Sequence, residues 1–88
     1  MKTVWKFPLT IADKQTVEIP EHFTPLSVHV QEDGIFLWAE VFTTNTKVQA
    51  IINMYGTGHE LPEYPGRFLG TVMTHGGKMV WHVYSERG

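Results

Sequence analysis

The sequence predicts an all-β domain, a small antiparallel sandwich or barrel of about seven strands. Three observations carry that expectation. Turn signals rich in Gly, Pro, Asn and Asp recur at roughly 8–12-residue spacing, as they do in sandwiches and barrels. The runs between them are rich in β-branched and aromatic residues and alternate apolar with polar. No helical stripe of convincing length competes: the best candidate, Thr46 to Tyr55, alternates equally well as a strand.

Reading with period two places the strands in order. The first covers about Thr3–Leu9, with Trp5, Phe7 and Leu9 on one face. Pro8 lacks the N–H a central strand must donate, so this strand lies at an edge or ends there. The second covers Gln15–Ile19, with Val17 and Ile19 inward and Pro20 as its stop. Leu26–Gln31, Ile35–Val41, Lys47–Tyr55, Phe68–Thr74 and Met79–Ser85 complete the set.

Two hairpins are expected. Asp33-Gly34 suits a two-residue type I′ turn, which needs positive φ at both positions. That turn sets Val30 opposite Leu37, Val28 opposite Ala39 and Leu26 opposite Val41, an apolar face throughout. The other face then carries His29, Phe36 and Trp38. Gly76-Gly77 makes the second turn and sets Val72 opposite Trp81, Gly70 opposite Val83 and Thr71 opposite His82, with Gly70 leaving room for the indole. Leu69 and Tyr84 pair on its mixed face. The stretch Gly56–Gly66 is long for a connection in so small a domain. Pro62 and Pro65 stiffen it, and Leu61 and Tyr64 are expected to pin it to the body.

Composition narrows the function. Eighty-eight residues make one domain, residues 1–88, that buries roughly 60–65% of its unfolded surface, a modest core. Cysteine is absent, so disulfides, thiolate chemistry and cysteine–zinc sites are excluded. A formal net charge of −2 with scattered Lys and Arg argues against long nucleic acid. No apolar run approaches a membrane span, and the N-terminus lacks a signal-peptide pattern. An intracellular protein is expected.

The best candidate for chemistry is Gly56-Thr57-Gly58-His59-Glu60. Glycines let a backbone approach a ligand and offer N–H groups to an anion. Thr57 and His59 add side-chain donors, and Arg67 adds charge. The same glycines equally suit an ordinary turn. The Gly-x-Gly is too short for a nucleotide-enzyme phosphate loop, and no helix follows. The five histidines, His22, His29, His59, His75 and His82, show no metal-ligand spacing, so no metal or cofactor is expected. No catalytic residue is assigned: His59 and Glu60 point apart in an extended segment, and no nucleophile elbow or paired carboxylates are visible. Phe36 and Trp38 share a non-core face, which suits a subunit contact, a ligand or a covering segment.

Met1-Lys-Thr-Val-Trp-Lys-Phe-Pro-Leu9, Gln15–Pro20, Leu26–Gln31 and Tyr55-Gly-Thr-Gly-His-Glu-Leu-Pro62 together resemble a family of small phage and prophage proteins, a domain of unknown function. The resemblance spans nearly the whole chain. It implies a viral origin and residence in the cytoplasm of a bacterial host, and brings no assigned residues. Phage accessory proteins of this size often act by binding, so the leading expectation is a non-enzymatic protein that counters host defence by sequestering a nucleotide-derived signalling molecule. Its expected ligand-binding residues are Tyr55, Gly56, Thr57, Gly58, His59 and Arg67, with Trp38 as a stacking surface. The alternatives are an inhibitor that binds a host protein through the Phe36/Trp38 face, and a small hydrolase using His59. Free sheet edges and a small core favour a homo-oligomer, most simply a two-fold dimer. The fold expectation has a direct check. Far-UV circular dichroism of the purified protein should be β-dominated, and a helix-dominated spectrum would overturn it.

Overall fold

The alternation closes into two antiparallel sheets because each strand has an apolar face to bury against the other sheet, while its alternate residues are left outward. The computed structural model describes residues 1–86. Its strands are β1 Lys2–Leu9, β2 Lys14–Pro20, β3 Thr24–Gln31, β4 Gly34–Phe42, β5 Lys47–Gly56, β6 Arg67–Thr74 and β7 Met79–Ser85. One sheet has the order β1-β4-β3, the other β2-β5-β7-β6. The architecture is a sandwich, and no helix among the described residues is long and apolar enough to cross a membrane.

The core lies between the sheets. Strand β4 contributes Ile35, Leu37, Ala39 and Val41, and β5 contributes Ala50, Ile52 and Met54. Val17 and Ile19 enter from β2, Val28 from β3, Val72 from β6 and Val83 from β7. Trp5, Phe7 and Trp81 are only half covered and pack against the margins of this cluster. The Trp81 indole Nε1 donates to Thr74 Oγ1 at 3.2 Å, which satisfies its one polar atom. Strand β1 is an edge strand, so Pro8 costs the sheet no ladder bond.

Four details of register and packing depart from the sequence expectation. The first hairpin turns at Glu32-Asp33, with Gln31 opposite Gly34, Val30 opposite Ile35 and Val28 opposite Leu37. Glu32 takes the left-handed φ of 55°. Gly34 is inside β4, where a methyl group would meet the Phe36 ring at 2.9 Å. That glycine makes room for an aromatic ring rather than a turn. Second, the β3–β4 ladder has an irregularity between Pro25 and Ser27, so Leu26 is turned out to solvent at 48% exposure instead of facing Val41. Pro25 takes the inward place, opposite Ala39.

Third, Gly70 does not accommodate Trp81. A methyl there would lie 3.6 Å from the Val28 carbonyl oxygen, because β3 and β6 run close together along one side of the sandwich. The second hairpin otherwise has the expected register, with Val72 opposite Trp81, Thr71 opposite His82 and Gly70 opposite Val83. A bulge between Phe68 and Gly70 then sets Phe68, not Leu69, opposite Tyr84.

Burial and register together make a test. Leu37→Ala removes a fully buried side chain and should destabilise the domain by about 2–5 kcal/mol in urea denaturation. Leu26→Ala, at the irregularity, should stay within about 0.5 kcal/mol. Equal losses at both positions would show that Leu26 is in the core after all.

Candidate functional site

Strand β5 ends in a glycine-rich turn, and that turn folds over the outward face of its own sheet. The outward residues there follow from the register. Tyr55 of β5 is opposite His82 of β7, and His82 is opposite Thr71 of β6. One pair further along, Asn53 is opposite Tyr84, and Tyr84 opposite Phe68. The aromatic rings form a row. Tyr55 and Tyr84 meet edge to face at 5.7 Å, and Tyr84 meets Phe68 at 5.3 Å. Edge-to-face contact of this kind stabilises each pair by about 0.5–1.5 kcal/mol beyond burial.

The turn is fastened to this face by His82. Its Nε2 shares a hydrogen bond with Thr57 Oγ1 at 2.8 Å, and its Nδ1 another with Thr71 Oγ1 at 3.0 Å. A neutral imidazole has one donor and one acceptor nitrogen, and a hydroxyl serves either role, so both contacts are satisfied in either tautomer. Within the turn, the His59 amide donates to the Gly56 carbonyl at 3.0 Å, and Gly58 takes a φ of 89°. The His59 ring lies against the Gly56 α-carbon, where an added methyl would come within 2.9 Å of it. Gly56 thus sets where the imidazole rests.

These residues surround a cavity of about 270 Å³ lined by Tyr55, Gly56, Thr57, Gly58 and His59 with Leu61, His82 and Tyr84. Five of the residues expected from sequence therefore come together. Two do not. Trp38 projects from the outward face of the β1-β4-β3 sheet, on the far side of the sandwich, because it alternates with the buried Leu37 and Ala39. Arg67 opens β6 opposite Ser85 and does not line the cavity. Tyr64 does not pin the loop: it is 86% exposed. His82 and Tyr84 were the residues the sequence did not nominate. Only the β5–β7 pairing brings them to the turn, and no short turn joins those two strands. Among the described residues, no group of three or more His, Cys, Asp or Glu is placed to hold a metal ion.

The second outward face is distinct. Phe36 and Trp38 meet edge to face at 5.9 Å, with His29 6.1 Å from the indole. Lys6 Nζ lies 4.5 Å from the centre of the Phe36 ring and donates to Gln31 Oε1 at 3.0 Å. Lys2 pairs with Glu40 at 3.1 Å on the same surface.

Compared with known proteins, the chain belongs to the DUF7352 family, a domain of unknown function whose family model matches residues 1–88. No curated protein and no solved structure matches it.

The packing of His59 on Gly56 is directly testable. Gly56→Ala should displace the imidazole and shift its NMR resonances while the strand pattern persists, since Gly56 does not need a left-handed backbone. An unchanged His59 spectrum would show that the ring does not rest there.

Proposed function

We propose that this member of the family acts by binding: it sequesters a small nucleotide-derived signalling molecule, and does so as a phage accessory protein that counters host defence. The observation that carries the reading is the turn held on an aromatic floor. His59 and His82 flank a cavity whose base includes Tyr55 and Tyr84, and the glycine-rich backbone of residues 56–58 borders it. Imidazoles, a threonine hydroxyl and backbone N–H groups suit an anion such as phosphate, while tyrosine rings suit a nucleobase. A stoichiometric binder needs no acid–base pair or nucleophile. The phage setting is carried by the resemblance of the opening strand and the Tyr55–Pro62 stretch.

A second surface supports a second reading. Phe36, Trp38 and His29 form a continuous aromatic patch on the other sheet, with Lys6 and Lys2 beside it. Patches of this composition favour burial against protein. A two-fold homodimer through this face, or a complex with a host protein, would cover it. Light scattering at tens of micromolar should give about twice the 10.1 kDa chain mass. A monomer mass would count against the dimer and leave the face for a host partner.

The binding reading has a plain test. The protein is incubated with cyclic and linear nucleotides, repurified and heat-denatured, and the released ligand is analysed. Intact nucleotide supports sequestration, altered nucleotide points to a hydrolase using His59, and no nucleotide moves the function to the aromatic patch. His59→Ala should keep its melting temperature within a few degrees, as an exposed turn residue does. It should bind at least about tenfold more weakly, the loss of one well-placed hydrogen bond to a charged group. Unchanged affinity would return the segment to an ordinary turn.

A further inference from the structure

A second cavity, of about 470 Å³, opens on the same sheet face and shares Tyr55 with the His59 cavity. Its volume is in the range of small-molecule sites, about 300–1,000 Å³. From its polar groups we infer that it is a base subsite selective for guanine. The inference rests on the binding reading above and extends it: one ligand would place its phosphate by His59 and its base beyond Tyr55.

The polar groups form an ordered row. Asn53 is outward-facing on β5 yet only 5% exposed, an unusual place for an amide. Its Nδ2 donates to Glu86 Oε2 at 2.8 Å. Lys14 Nζ lies 3.8 Å from that same oxygen. Among the described residues Asn53 Oδ1 has no hydrogen-bond partner, and it is not sealed from solvent. The row therefore runs cationic donor, carboxylate acceptor, the amide nitrogen that this carboxylate holds, and the amide oxygen acceptor.

Guanine presents the complementary row on its Watson–Crick edge: the O6 acceptor, the N1–H donor and the N2–H₂ donor. O6 meets Lys14, N1–H meets Glu86, and the 2-amino group meets Asn53 Oδ1. Adenine presents one donor and one acceptor there, and leaves the carboxylate or the amide oxygen unmatched. Hypoxanthine keeps O6 and N1–H and lacks the 2-amino group. A site built of acceptors rejects an analogue that lacks the matching donor, because its own polar atoms are left unpaired. Tyr55 and the exposed Tyr64 both line the cavity and supply aromatic surface for the base.

Calorimetric titration with guanosine, inosine and adenosine 5′-monophosphates tests the assignment. The guanine nucleotide should bind at least tenfold more tightly than either of the others. Glu86→Gln should weaken the guanine and inosine nucleotides together, which narrows the preference over adenine and keeps the preference over inosine, with the melting temperature within a few degrees; it is the variant of choice because Glu86 is half exposed whereas Asn53 is buried. Equal affinity for the three nucleotides, or no binding by any of them, overturns the guanine subsite. Equal affinity that falls with His59→Ala overturns the subsite alone and supports the turn as an anion site. A guanine preference untouched by His59→Ala supports the subsite and overturns the role of the turn.

Discussion

Everything in this domain depends on two strands keeping their apolar faces turned toward each other. Strands β4 and β5 are inner strands of their sheets, and their inward residues are almost wholly buried. With no disulfide to constrain the chain, this burial and the five strand ladders must hold the fold. The constraint is strict because the side-chain period is two: a one-residue slip would send Leu37, Ala39 and Val41 into water. The same strictness frees the alternate positions. Trp38 and Phe36 on one side, and Tyr55 and Asn53 on the other, are outward because their neighbours are inward.

The two outward faces then diverge in character. On the β1-β4-β3 sheet the aromatic rings are left among lysines. On the β2-β5-β7-β6 sheet the segment after β5 returns across the surface, and its threonine is tied to His82. That return creates concavity on an otherwise flat sheet. A small domain has little volume in which to hollow out a cleft; it can still make one by folding a connection onto its own face.

Much of this was legible in the sequence, and the limits have physical causes. Alternation located all seven strands, because burial on one face writes itself into every second residue. It fixes which face a residue occupies but not its partner, since registers that differ by two residues present the same faces. The β3–β4 hairpin shows the consequence: Val28 is inward whether it is opposite Ala39 or Leu37. Asp33-Gly34 suggested the wrong choice, because Gly34 is required by the Phe36 ring and not by backbone conformation. The candidate site was half legible. Gly56–His59 stood out by composition, whereas His82 and Tyr84 reach it only through the pairing of β5 with β7, and the Phe36/Trp38 alternation does not reveal which sheet Trp38 joins.

The strand order has one more consequence, and it concerns time rather than place. Only β3 with β4 and β6 with β7 pair across short turns; β1 with β4, β2 with β5 and β5 with β7 must each find a partner far along the chain. Loop-closure entropy has to be overcome before those distant ladders give any return. The two hairpins therefore can form within microseconds, while the sheets await encounters that place a small β-sandwich in the millisecond-to-second regime of folding. Until they join, the apolar faces of both hairpins are open to solvent, and the newly made chain is at its most adhesive.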